Sequence, residues 1–183
     1  MVRESTKWNY ELRYPEQAAA LVNRAMTIAM NDPKGPVYLC LPREPLAEAW
    51  PEGKEFGPPI QALPSAPQPD RAAINEAAQL IADAEYPLMI CTRADVGGAG
   101  AEMVARIAED FAVAVAESWP SRNTMPSAHP MHAGFDVGPE VKKADVILVV
   151  DCMVPWIDKF HAPGPETTVI HIGPDPLFSG MPV

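Results

Sequence analysis

Asp145–Cys152 reads DVILVVDC, an unbroken aliphatic run from Val146 to Val150 with an aspartate on each side. Side chains alternate between the two faces of a strand, so a run apolar at every position has no face to give to water. Such a strand belongs inside a parallel sheet that is covered on both sides. Working outward, PEVKKA (Pro139–Ala144) reads as a short helix before it, and TTVIHIG (Thr167–Gly173) as a further strand after it. Upstream, the strand-like runs PLMICT (Pro87–Thr92) and AVAVAES (Ala112–Ser118) are separated by the amphipathic AEMVARIAEDF (Ala101–Phe111). Asp70 is placed to cap a helix over RAAINEAAQLIADAE, whose Ile74, Ala77, Ala78 and Ile81 form one apolar stripe. Strand–helix alternation with short apolar strands predicts an α/β fold with a doubly wound parallel sheet over residues 70–183. Trp119–Gly138 is expected to be a long structured loop over the ligand edge, and Pro174–Val183 to add no element.

The first part of the chain reads differently. Pro15–Met30 has helical spacing at Ala18, Leu21, Val22, Ala25, Ile28 and Ala29, and Pro33 with Gly35 stops it. PVYLCL (Pro36–Leu41) follows, again apolar on both faces and thus suited to a sheet interior. Prolines then fall at 42, 45, 51, 58, 59, 64, 67 and 69. They remove backbone donors and fix φ, so neither helix nor strand is expected between Leu41 and Asp70. Residues 46–69 read as a linker lying along a surface through Trp50, Phe56 and Ile60, and residues 1–45 as a helix–strand piece of another domain. Its greasy strand needs neighbours, which predicts packing against a symmetry partner or against the downstream domain.

The 183 residues carry a formal charge of -10, which disfavours nucleic acid as a partner. No apolar run is long enough for a membrane span, and the first ten residues have no secretory pattern. Cys40, Cys91 and Cys152 lie in or beside strand-like runs without a CxxC pair, as expected of buried, reduced thiols in the cytoplasm.

Ligands of open parallel sheets bind beyond the carboxyl ends of the strands. Four exits qualify: Thr92-Arg93, Glu117-Ser118, Asp151-Cys152 and Gly173-Pro174. The first opens into Gly97, Gly98 and Gly100, whose amides suit a phosphate, although Met103 stands where a dinucleotide fingerprint has its third glycine. His129, His132 and Asp136 have no diagnostic metal spacing, with Pro130 between the histidines. Ser118 and Cys152 follow strands without a nucleophile elbow. No catalytic and no metal residue is assigned.

TKWNYELRYPEQAAALVNRAMTIAMNDPKGPVYLCLPREPL (Thr6–Leu46) resembles the closing stretch of the pyrimidine-binding domain of thiamine-diphosphate enzymes related to acetolactate synthase. SAHPMHAGFDVG (Ser127–Gly138) and ADVILVVDCMVPW (Ala144–Trp156) resemble the loop and strand of the same family's central, Rossmann-like domain. The resemblance implies an enzyme acting on 2-oxo acids by C–C cleavage, C–C formation or decarboxylation, with thiamine diphosphate and magnesium, assembled as a homo-oligomer. It also implies that the present residues are a central excerpt, truncated at its C-terminal end. The family's catalytic glutamate and its GDG motif lie in parts not found here, so these residues alone are expected to bind neither cofactor nor catalyse. Some family members hold FAD or ADP in the central domain. Here the exit CTRADVGG and the strand end IHIGPDP depart from the flavin pattern. A bound nucleotide would meet Thr92, Arg93, Gly97, Gly98, Cys152 and Met153. The alternative readings are a stand-alone FAD-, NAD- or ADP-binding module and a purely structural assembly domain.

Overall fold

A computed structural model describes residues 3–50, 52–53, 61–63, 65, 67–93, 95 and 97–175. The chain divides into two compact units, Met1–Gln68 and Pro69–Val183.

In the first unit the first strand is one absent from the sequence reading. β1 (Trp8–Glu11) leads through a 3-10 turn (Pro15–Gln17) into helix α1 (Ala18–Met30) and then β2 (Val37–Cys40). β1 and β2 pair in parallel, Trp8 with Val37 through Glu11 with Cys40. The Trp8-Asn9-Tyr10-Glu11 alternation is too short to stand out, and its pairing with residues 29 positions later supplies what local sequence lacks. Trp8 stacks on Tyr10 at 5.7 Å, and the Arg24 guanidinium of α1 lies 5.7 Å from the Trp8 ring. Among the described residues of this unit, Leu12, Leu21 and Ala25 are buried.

The stretch after β2 corrects the expectation that no helix forms there. Helix α2 (Arg43–Ala47) contains Pro45. A helix's first N–H groups have no intrahelical acceptor, so a proline in the opening turn removes no bond. Of the expected linker, residues 51, 54–60, 64 and 66, including Phe56 and Ile60, lie outside the described residues. The expectation for the chain's end likewise falls outside them from residue 176 onward.

The second unit is an α/β fold around a five-stranded parallel sheet. Helix α3 (Arg71–Asp83) precedes β3 (Pro87–Cys91); helix α4 (Ala99–Phe111) precedes β4 (Ala114–Glu117). β5 (His132–Gly134), helix α5 (Gly138–Val141), β6 (Val146–Val150), helix α6 (Asp158–His161) and β7 (Thr168–Ile172) complete it. The order across the sheet is β5-β4-β3-β6-β7. Chain direction across the sheet therefore reverses between β3 and β6, the switch point where open sheets form a crevice. β3 holds the centre, pairing Cys91 with Glu117 on one side and with Val150 on the other.

Two hydrophobic layers cover the sheet. Leu88, Ile90, Ala116, Ile147 and Val149 pack with Val137 and Val141 on one face. Met89, Val115 and Leu148 pack with Ala108, Val104 and Ile107 on the other. β3 is buried at every residue and β6 at all but its last, as expected of interior strands. PVYLCL departs from the same expectation, because β2 is half of a two-stranded sheet and leaves Tyr38 45% exposed. β5 was expected to be loop; it is a three-residue edge strand whose register shifts between Val115 and Ala116, a length too short to print a periodic pattern. α6 is likewise a single turn without a stripe. Among the described residues no helix is long and apolar enough to cross a membrane.

Candidate functional site at the carboxyl edge of the sheet

Backbone order fixes the exits first. Ser118 N–H donates to Cys91 O at 2.9 Å, Ser121 N–H to Thr92 O at 3.0 Å, and Asp151 N–H to Ile172 O at 2.8 Å. Side chains then tie the exits of β3, β4 and β6 together. The Thr92 hydroxyl donates to Ser118 O at 3.0 Å, and the Ser118 hydroxyl donates to Val154 O at 2.6 Å. Arg93 Nε donates to Asp151 Oδ2 at 2.9 Å across the switch point, with Asp151 at φ 43°. The residues chosen from sequence thus separate. Thr92 and Arg93 join this knot, and Cys152 is buried beside the Thr92 and Ser118 hydroxyls. Met153 is exposed on the following loop.

Gly97 and Gly98 lead into α4, Gly98 as its N-cap, where the acceptor is already present. The Asp95 carboxylate takes the N–H of Gly97 at 3.1 Å and that of Gly100 at 2.6 Å. A methyl group on Gly100 would lie 2.6 Å from Asp95 Oδ1, so the glycine there makes room for this carboxylate. Gly98 takes φ 83°, which a side chain would strain. The amides read from sequence as a phosphate cradle serve the chain's own Asp95.

The thiols are not poised for chemistry. Burial, then Cys152 and Glu117 nearby, push Cys91 up to about 12, and burial also raises Cys152. A thiol held protonated at neutral pH is a poor nucleophile. Cys40 corrects the expectation of full burial: it is half-buried, because β2 is covered only in part.

Glu117, fully buried at the end of β4, is a polar centre that spacing did not reveal. Its Oε1 accepts the Thr124 N–H at 2.5 Å and the Thr124 hydroxyl. Its Oε2 faces His132 Nε2 at 3.9 Å, and both atoms are buried without a hydrogen bond. The other two groups of the HPMHAGFD stretch are engaged separately: His129 with Glu109 at 3.1 Å, and Asp136 with Gly138 N–H at 3.1 Å. Among the described residues no three His, Cys, Asp or Glu side chains converge as a metal would require.

A cleft of about 340 Å³ opens beyond the exits of β4, β5 and β6, lined by Trp119, Phe135, Trp156 and His161 among others. Sequence reading missed it. Its residues come from three separate exits, and the one signal was a large aromatic just past each exit. A wider concavity of about 870 Å³ in the first unit is the exposed side of its two-stranded sheet, with Arg3, Glu4, Glu11 and Arg13 mixed in sign along it. It gathers no buried polar group, so the carboxyl-edge cleft is the better candidate.

The sequence profile of the thiamine pyrophosphate enzyme central domain matches residues 74–180. A "Probable acetolactate synthase large subunit" of Methanocaldococcus jannaschii is 26% identical over 97% of this chain and 32% of its own length. Sulfoacetaldehyde acetyltransferase of Castellaniella defragrans is 28% identical over 84% of this chain and 25% of its own length. In structure, the benzoylformate decarboxylase of Polynucleobacter necessarius superposes with a TM-score of 0.73 at 27% identity, covering 93% of this chain and 33% of that one. The chain thus spans about a third of the length of the acetolactate synthase relative it matches. None of these names describes a stand-alone nucleotide-binding module, and that alternative has no support here.

Proposed function

The chain belongs to the thiamine pyrophosphate enzymes through their central domain, and from that premise we propose that it is the central scaffold of a 2-oxo acid–processing enzyme. The observation that carries this reading is continuity. The alignment to the acetolactate synthase subunit covers 97% of the chain and so runs through both units, not the Rossmann-like sheet alone. A sheet fold by itself supports many functions, whereas this particular succession narrows them. The reaction is C–C bond cleavage or formation with decarboxylation, in the transferase or lyase class. Thiamine diphosphate and magnesium take part in the intact enzyme, held by residues other than these. No chemical step is assigned to the present side chains. Their work is to lock three strand exits into one rigid edge through Thr92, Ser118, Arg93 and Asp151.

We place the protein in the cytoplasm, a reading favoured by its three free cysteines. It works as a homo-oligomer with small-molecule substrates. The exposed Val22, Met26 and Met30 on α1 favour a covered surface in the assembly. Of the residues assigned from sequence, Thr92, Arg93 and Cys152 act in holding the edge; Gly97 and Gly98 shape the Asp95 turn, and Met153 borders the edge loop.

The test is made on the polypeptide that carries these residues in its host. Purified from those cells, it should consume a 2-oxo acid such as pyruvate or benzoylformate only with thiamine diphosphate and a divalent cation. Failure to turn over any 2-oxo acid under those conditions would remove the proposed activity.

A further inference from the structure

The cleft at the carboxyl edge has three features that the scaffold role leaves unexplained. First, Trp119 sits at φ 47° while 73% exposed. The left-handed region is unfavourable for a bulky side chain, and here its indole gains no burial in return. Second, Phe135 is 55% exposed on the exit of the neighbouring strand, so rings from two strand exits line one opening. Third, a polar group is fitted into the same wall. The His161 imidazole lies against Gly138 so closely that a methyl there would stand 2.4 Å from Nδ1. Only glycine leaves space for that ring, and the ring lines the cleft. Beneath these walls the floor is closed, Ser118 and Val137 being buried.

Volume and chemistry together limit the occupant. About 340 Å³ is at the lower end for small-molecule sites and too narrow for a helix of about 10 Å diameter. Aromatic walls favour offset or edge-on contact with another ring. An imidazole at the rim suits a hydroxyl or carboxylate substituent. We propose that the Trp119–Phe135 cleft binds a small planar aromatic molecule bearing one polar substituent, which lies against the two rings and turns that substituent to His161. This ligand site is independent of the activity proposed above, since no catalytic group is needed to fill it.

Calorimetric titration of the 183-residue chain tests the proposal with two probes of equal charge and different shape, 4-hydroxybenzoate and cyclohexanecarboxylate. The aromatic acid should bind saturably with a dissociation constant of about 1 mM, a reasonable affinity for a ligand of that size. The puckered acid should bind about fivefold more weakly or not at all, by the stacking preference of the walls. Trp119→Ala and Phe135→Ala should each weaken the aromatic probe about three- to tenfold. Both positions are exposed, and thermal melts would verify that the variants fold. Absence of saturable binding overturns the site. So does equal affinity for the two acids, or unchanged affinity in both folded variants.

Discussion

β6 has a strand on either side and a hydrophobic layer on either face, and its Ile147 is 0% exposed. β2 has β1 on one side, and Tyr38 at its middle is 45% exposed. Both strands are built from the same kind of aliphatic sequence and both belong to parallel pairs. Their difference lies in what surrounds them: a strand's composition states how much cover it can use, and the number of neighbours decides how much it receives. In the second unit the demand is met, and stability should concentrate there. In the first it is met in part, with apolar surface left on β2 and on α1.

The sharpest way to break this comparison is to truncate one branched aliphatic side chain to alanine in each strand. Ile147→Ala empties a site enclosed on all sides and should cost about 3 kcal/mol of stability in urea unfolding. Val37→Ala removes atoms already half in contact with solvent and should cost less than about 1 kcal/mol. Hydrogen exchange read by peptide should show β6 amides slowed far more than those of β2. Equal losses, or equal protection, would mean that β2 is as well enclosed as β6 and that the contrast in burial does not carry into energy.

The contrast also explains what was legible in the sequence. β3, β4 and β6 were readable because burial on both faces imposes apolar runs. β7 was readable because TVIHI is rich in β-branched residues, although it lies at the sheet edge and is partly exposed. α3 and α4 were readable because one buried stripe imposes a 3.6 period. β1, β5, α2 and α6 were not. Each has five residues or fewer, and each exists because a distant segment pairs with it or packs on it. The candidate site divides in the same way. That ligand chemistry should lie at the strand exits followed from topology, which brought Thr92, Arg93 and Cys152 together. The roles of Glu117 and Asp95 did not follow, because a carboxylate's partners are chosen in space: Thr124 for one, the Gly97 and Gly100 amides for the other. Trp119, Phe135 and His161 lie on three different exits and share no spacing rule.

A second, smaller contrast within the well-covered unit can be sharpened by pH. At the amino end of β6, Asp145 accepts the N–H groups of Glu85 at 2.7 Å and Tyr86 at 2.9 Å, joining β6 to the entrance of β3. Partial burial pushes its carboxyl pKa up, but the backbone donors outweigh that and leave it below the ordinary value. A carboxylate whose pKa is lower folded than unfolded stabilises fully above its unfolded value, near pH 4, and loses that contribution as pH falls through the folded value. Glu140 has the same sign, lowered by the Tyr86 hydroxyl first and by Lys143 second. Asp145→Asn should therefore cost about 1 kcal/mol at pH 7 and flatten the acid limb below about pH 4, as followed by urea titration at stepped pH. An acid limb identical in the variant would show that this tie contributes nothing to the second unit's advantage.

The smallest expected effect compares two helix starts that the same unit supplies. Asp70 caps α3 through one bond, Ala73 N–H to Oδ2 at 3.3 Å. Asp95 serves α4 through two, the shorter at 2.6 Å, and needs Gly100 to come that close. Capping carboxylates are worth about 0.5–2 kcal/mol, increasing with the donors they satisfy. Asp95→Ala should cost about 1 kcal/mol and Asp70→Ala about half of that, both by thermal or urea unfolding. Gly100→Ala offers the cleaner discrimination, because it leaves the carboxylate in place and presses a methyl group against it. If the Asp95 contact matters, Gly100→Ala should lose about as much as Asp95→Ala, and the double variant should lose little more, since one bond cannot be broken twice. If instead the alanine at 100 stabilises, as an alanine does inside an unconstrained helix, then the turn has room to spare and Asp95 is not what fills it.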